Sequence, residues 1–279
     1  MASRNALGSS GEKPGAERHG GAPLDTAHGK TDAPATSPAA QGGNSNSNRA
    51  IEIKDLVCGY GKNQVLHGVD FSADLSKITA IVGSNGSGKS TMLKALFGLC
   101  DVKSGSIHAL GRDITHVPTH SILGYGISYM AQRKNVFQDL TLRENLAVVT
   151  GLRNAEQAMD HFPELLPFLD RPAVTLSGGQ RQLLAMAMVL VHKPRIMLFD
   201  EPTAALSPKN ADIIIGKIKD LNAQHENCIV LVEQNVKHAL RNCDKVYLLA
   251  SGNVVYSGDP ATLLDDKDLA SKYLGMTPQ

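Results

Sequence analysis

Gly83-Ser84-Asn85-Gly86-Ser87-Gly88-Lys89-Ser90-Thr91 is the stretch on which the fold turns. It satisfies G-x-x-x-x-G-K-[ST] in a telling context: the apolar run Ile78 to Val82 precedes it, and Leu93, Leu96 and Phe97 follow at helical spacing until Gly98. The reading is strand, glycine loop, helix. Glycines let the backbone wrap an anion and aim amide N–H groups at its oxygens, while the helix N-terminus adds positive potential. Lys89 is placed to neutralise outer phosphates, and the Ser90 hydroxyl suits a magnesium ion. A glycine-rich turn with a surface lysine is the plain alternative, but at average composition such a string arises by chance in about one chain of this size in a hundred.

Upstream of the loop, Ile51 and Ile53 alternate with polar residues, Gly59-Tyr60-Gly61 interrupts, and Val65-Leu66 and Val69-Phe71 resume, which predicts an antiparallel β start. Downstream, residues 137–172 carry scattered apolar positions broken by Pro163 and Pro172 and read as short helices, part of a small helical insertion over about 133–192. An apolar helix from Arg181 to His192, a buried-type strand Ile196 to Phe199, a helix around Ala211 to Leu221 and a second such strand, Ile229 to Val232, come next. Strands alternating with helices imply an α/β domain around a mainly parallel sheet. Val246 to Leu249 and Val254 to Tyr256 flank Ser251-Gly252-Asn253 as a hairpin, and Pro260 to Leu274 is a terminal helical segment.

Two further strings carry chemistry. In Ile196-Met197-Leu198-Phe199-Asp200-Glu201, four apolar residues bury a strand and deliver two acids at its C-terminal end, where open parallel sheets place ligands. Asp200 is expected to hold magnesium and Glu201 to polarise an attacking water. Taken alone, an acid pair after an apolar run is a solvated strand end; downstream of a phosphate loop the functional reading wins. In Leu176-Ser177-Gly178-Gly179-Gln180, a hydroxyl and two glycines stand before the apolar helix, which makes either a second anion site or an ordinary helix cap on Ser177.

Composition sets the bounds. Residues 1–49 of the 279 contain no Ile, Val, Phe, Tyr, Trp or Cys and two Leu, too little apolar surface to offset ordering entropy, and read as a disordered low-complexity tail. That tail holds five of the 28 Lys and Arg and four of the 27 Asp and Glu, so residues 50–279 are balanced at 23 of each. A neutral domain argues against nucleic acid as a partner. The longest apolar run, Leu183 to Val191, is far shorter than the roughly 18 residues of a membrane span, and the N-terminal residues lack the apolar stretch of a signal peptide. Cys58, Cys100, Cys228 and Cys243 show no C-x-x-C and suit reduced thiols.

Together these strings resemble the ATP-binding subunits of ATP-binding cassette (ABC) transporters, over essentially all of residues 51–260. The resemblance implies a P-loop NTPase fold with an antiparallel β part and a helical subdomain, and ATP with Mg2+ as its ligands. It makes Lys89, Glu201, Gln132 and Gln234 the catalytic group, and Ser90, Gln132 and Asp200 the metal-holding one. Tyr60, 23 residues before the loop, matches the aromatic that stacks on adenine. Gly83 through Thr91 would hold phosphates, and Ser177, Gly178, Gly179 and Gln180 would close on the ATP of a partner subunit. Two positions depart from the pattern: Ser207 stands where an aspartate is usual in the dimer-seam loop, and Gln234 replaces a histidine, so it can donate to a phosphate oxygen but cannot become cationic.

Glu233-Gln234-Asn235, Gly252, Gly258-Asp259-Pro260 and Tyr273-Leu274-Gly275 resemble one branch, the second ATPase of branched-chain amino acid, amide or urea importers. That branch implies a second ATPase subunit, usually unlike the first, integral membrane permease subunits, a solute-binding protein acting indirectly, and a location on the cytoplasmic face of the inner membrane. A soluble, non-transport cassette ATPase and a weakly active regulatory subunit remain as alternatives, the latter suggested by Ser207 and Gln234.

Overall fold

The structure, a computed structural model, describes residues 48–150 and 159–265. The expected tail lies outside the described residues up to position 47, and the first strand, β1 (Arg49–Tyr60), already starts at Arg49, which reaches Asp74 at 3.0 Å. β1 turns at Gly61-Lys62 and pairs antiparallel with β2 (Asn63–Asp74); on its other side it pairs with β4 (Asp101–Ala109), which carries the two-residue strand β5 (Arg112–Asp113). The second sheet has the order β10-β9-β3-β8-β7-β6. Its strands β3 (Ile78–Val82), β6 (Ile127–Met130), β7 (Ile196–Asp200), β8 (Cys228–Val232) and β9 (Lys245–Ala250) run parallel, and β10 (Asn253–Gly258) closes one edge as an antiparallel hairpin.

The continuous apolar strands are explained by burial on both faces. Leu198, Val230, Val232 and Leu249 point into a core shared with the antiparallel sheet and with Met92, Leu93 and Leu96 of α1 (Lys89–Leu96). Met197, Phe199, Ile229 and Leu231, one residue out of phase, point the other way, against α4 (Gly178–Leu190) and α5 (Pro208–His225). That second core extends to the helical part, where Leu142 and Leu146 of α3 (Leu142–Thr150) join Phe162 and Leu165 at the 3-10 helix Pro163–Phe168. Short helices α2 (Thr119–Ile122), α6 (Val236–Leu240) and α7 (Pro260–Asp265) complete the described elements; the rest of the expected terminal helix lies outside the described residues.

Caps account for where two helices begin. α4 starts at Gly178, three residues ahead of the apolar run, because Ser177 forms a capping box with Gln180. α5 starts at Pro208, with Ser207 as its N-cap accepting from the Asn210 N–H and proline at the first helical position. The arrangement has one functional consequence: β3, β8, β7 and β6 are consecutive neighbours, so the chain leaving their C-terminal ends supplies residues 83–90, 233–234, 200–201 and 131–132 to one place.

Candidate active site

The loop after β3 is closely packed where it leaves the strand. Gly83 has φ +148°, and a Cβ there would lie 2.2 Å from the Leu249 carbonyl and 2.8 Å from Ser87 Oγ, so only glycine fits. Ser87 Oγ is buried with no hydrogen-bond partner among the described residues. An orphaned hydroxyl inside a glycine loop suits an anion's oxygen. Lys89, 5% exposed, folds back so that its Nζ donates to Gly83 O and Ser84 O, both at 2.9 Å. Burial lowers its pKa, and the nearby Glu201 and Asp200 oppose that drop; a bound phosphate would support the cation further.

Asp200 and Glu201 are adjacent yet serve different neighbours. Asp200 continues the strand; its Oδ1 accepts from Ser90 Oγ at 2.8 Å and its Oδ2 from the Tyr129 hydroxyl at 2.9 Å. Burial, with Asp200 beside it, holds the Tyr129 phenol well above its usual range, so Tyr129 stays a neutral donor. Glu201 leaves the strand with φ +50°, a conformation disfavoured for a residue with a Cβ, held here by its N–H on Val232 O at 2.9 Å. That kink turns the Glu201 carboxylate to Gln132, whose Nε2 donates to Oε2. The Gln132 amide oxygen is left as the atom able to face a cation. Ser90 Oγ, Asp200 and that amide oxygen are hard oxygen donors, and no cluster of three or more His, Cys, Asp or Glu occurs among the described residues. This set fits Mg2+ shared with phosphates and water rather than a metal caged by protein alone.

Lys89, Ser90, Gln132 and Glu201 line one open cavity of ≈ 590 Å³, together with Val65, Asn85, Gly86, Gly88, Thr91, Arg133 and Gln234, and Asp200 holds Ser90 from beside it. Gln234 Nε2 donates to Asn85 Oδ1 at 2.9 Å, which sets the residue that departs from the family pattern directly on the loop. Tyr60 stands at the end of β1, 41% exposed, with its hydroxyl 3.5 Å from Thr91 Oγ1 and Lys94 Nζ 5.8 Å from its ring centre. Ser177, Gly178, Gly179 and Gln180 do not line the cavity. Ser177 Oγ accepts from Gln180 N at 3.3 Å and Gln180 Oε1 accepts from Ser177 N at 2.9 Å, so the exposed Ser177 closes a capping box.

Sequence reasoning passed over Tyr129, Arg133, Val65 and Glu233. Glu233 stands beside Gln234 and Tyr129 three residues before Gln132, but which way a side chain leaves a strand end is set by tertiary contacts. Glu233 is 2% exposed and accepts from Thr203 N at 3.2 Å and from Thr203 Oγ1 at 2.8 Å. Burial pushes its pKa up to about 7 against the pull of the Thr203 hydrogen bonds, with the Glu201 charge adding to the rise. The four cysteines are free thiols, two of them buried.

Residues 66–204 match the ABC transporter family. Over 228 residues the chain is 44% identical to the probable branched-chain amino acid transport ATP-binding protein LivF of Archaeoglobus fulgidus, covering 79% of this chain and 97% of that protein. The chain belongs to the ABC transporter family, as an ATP-binding subunit. It is also 36% identical over 226 residues to the high-affinity branched-chain amino acid transport ATP-binding protein BraG of Pseudomonas aeruginosa, covering 77% of this chain and 95% of that one. A nucleotide-free ATP-binding cassette from an ABC transporter superposes with a TM-score of 0.74 at 23% identity, over 82% of this chain and all of that one, and confirms the fold. No helix among the described residues of this ABC subunit is long and apolar enough to cross a membrane.

Proposed function

We propose that this ABC subunit hydrolyses ATP to energise the import of a small solute, branched-chain amino acids foremost, with urea or short amides as neighbouring chemistries. The observation that carries it is the convergence of Lys89, Ser90, Gln132, Glu201 and Gln234 on one cavity, with Asp200 bonded to Ser90, in a chain that aligns with nearly the full length of LivF. Lys89 holds the outer phosphates and the amides of residues 84–90 cradle them; Tyr60 stacks on the adenine. Mg2+, held by Ser90 and Asp200 with Gln132 beside it, would offset the charge of the phosphate oxygens. Glu201 takes the proton of the attacking water, oriented by Gln132 through the bond they share, and Gln234 donates to a γ-phosphate oxygen.

The second half of the site is supplied in trans. Ser177 to Gln180 stand away from this chain's cavity, so we assign them to the ATP of a second ATPase subunit, with the loop Ala204 to Ser207 at the seam. The partner is taken to be an unlike ATPase. Permease subunits are the membrane partners, docking near Gln132, where a separate ≈ 300 Å³ groove is lined by Tyr129, Met130, Lys134, Met188 and Val189. Motion of the helical part on closure over ATP would be passed to them there, at the cytoplasmic face of the membrane, while a solute-binding protein delivers the cargo. The test is uptake of radiolabelled leucine by cells expressing the full transport system with this subunit as wild type or Glu201→Gln. Leucine accumulation that vanishes with Glu201→Gln supports the reading; accumulation unchanged by the substitution overturns it.

A further inference from the structure

Two consecutive residues at the end of β8 point in opposite directions and hold two different loops. Gln234 reaches outward to Asn85 of the phosphate loop at 2.9 Å. Glu233 turns inward, and its two carboxylate oxygens take up Thr203 completely: Oε1 accepts from Thr203 N at 3.2 Å, while the Thr203 hydroxyl lies 2.8 Å from Oε1 and 2.9 Å from Oε2. Both residues are buried, Glu233 at 2% and Thr203 at 8% exposure.

Thr203 is not an isolated anchor. The Ala204 N–H donates to Glu201 O and the Leu206 N–H to Thr203 O, each at 3.1 Å, and Ser207 then caps α5. Residues 201–207 are therefore one hydrogen-bonded turn between the carboxylate that faces the cavity and the helix that follows. Among the described residues the other hydrogen bond between the turn and the end of β8 is the backbone bond from Glu201 N to Val232 O. An acid suits the position because a carboxylate is an acceptor with two oxygens, able to serve the amide and the hydroxyl of one residue at once. Burying it away from water is costly unless those bonds are made, so the link resists being broken piecemeal.

We propose that Glu233 is a positioning residue that fastens the turn 201–207 to the loop bearing Gln234, so that engagement of the phosphate loop by Gln234 and placement of the 204–207 segment are one coupled event. The proposal rests on the reading that residues 204–207 lie at the seam of an ATP-bound dimer. It separates the two jobs of the site: the phosphate loop binds nucleotide without Glu233, whereas the turn reaches its working position only through it.

The experiment uses this chain together with its partner ATPase subunit. ATP-driven dimer formation is measured by analytical ultracentrifugation with Mg–ATP in the Glu201→Gln background, with and without Thr203→Val, which removes the hydroxyl at nearly constant volume. In parallel, kcat and KM for ATP are measured in the otherwise wild-type protein carrying Thr203→Val, Glu233→Gln or Glu233→Ala. Expected are a kcat lowered about tenfold by Thr203→Val and by Glu233→Ala, equivalent to about 1.4 kcal/mol, with KM within about twofold and partial recovery in Glu233→Gln, which keeps one acceptor oxygen. The Glu201→Gln dimer is expected to weaken when Thr203→Val is added. Unchanged kcat in Thr203→Val, or equal dimerisation with and without it, overturns the proposal while leaving the dimer reading intact. A Glu201→Gln chain that fails to associate with its partner ATPase in Mg–ATP overturns the dimer reading and this proposal with it. Should Glu233→Ala fail to fold, Thr203→Val and Glu233→Gln decide the matter.

Discussion

The two glycine-containing anion motifs of this chain differ in how much of their surroundings the chain itself provides. Around Gly83 to Ser90, four neighbouring strand ends bring Lys89, Gln132, Asp200, Glu201 and Gln234 together within hydrogen-bonding reach of one another or of the loop. Around Ser177 to Gln180 there is a well-made helix N-terminus, with its capping box closed, and none of these residues lines that cavity. The first region is a site in itself. In the proposed function the second is half of one, a helix N-terminus that meets the ATP of a partner subunit. On the proposed function the difference teaches that nucleotide binding belongs to the single chain and hydrolysis to the pair.

Substitutions can sharpen or break that distinction, and the largest effect is expected at the complete site. Glu201→Gln should lower ATP turnover of the assembled system about 100-fold or more, since it removes the base but leaves shape and the Gln132 contact. Nucleotide affinity of the isolated chain, read by isothermal titration with ATP, should be retained; a parallel loss of affinity would show that the two functions are not separable. Ser177→Ala comes next. It should cost about 1 kcal/mol of stability through the lost cap, seen as a lower unfolding midpoint, and reduce turnover roughly tenfold while ATP affinity of the isolated chain is unchanged. If that affinity falls too, Ser177 serves its own chain's nucleotide and the contrast between the regions collapses.

Smaller effects probe the departures and the buried acid. Gln234→Ala is expected to slow turnover about fivefold, the share of one hydrogen bond to phosphate, and Gln234→His to keep or exceed the parent rate; equal rates for the two would show that the position is idle. Glu233 adds a pH signature with a definite sign. Its folded pKa of about 7 lies above the ordinary 4.5, so its contribution to stability is fully present below the unfolded value and is lost as pH rises through about 7. Chemical unfolding as a function of pH should show wild type losing stability relative to Glu233→Gln by up to about 1.4 kcal/mol per pH unit between about 4.5 and about 7, and no further above that. A wild-type curve parallel to that of Glu233→Gln would show that the acid ionises normally. Least of all is expected from removing residues 1–47, which should leave turnover of the assembled system within about twofold.

Legibility followed the range of the physics involved. The phosphate loop was readable because a strand, a glycine turn and a helix start are local, and each leaves its mark within a few residues. The strands Ile196–Asp200 and Cys228–Val232 were readable for a similar reason: burial on both faces demands an unbroken apolar run. β4 left no such trace. Most of its residues are exposed or only half buried, so Asp101–Ala109 carries little alternation to read. Capping shifted helix starts by about one turn, as with Gly178, because a cap is a hydrogen-bond pattern rather than a hydrophobic one.

What the residues determined by themselves was a kind of chemistry: phosphate held by backbone amides, a lysine and a hydroxyl, with two acids delivered at a strand end. Tertiary structure decided which partner each polar group takes. The positive φ of Glu201 sends one acid to Gln132 while Asp200 goes to Ser90 and Tyr129, and opposite facing at the end of β8 gives Gln234 to the phosphate loop and Glu233 to Thr203. Local sequence sets which atoms can donate or accept, but direction is fixed only when strands distant in sequence come into register and close the core beneath them.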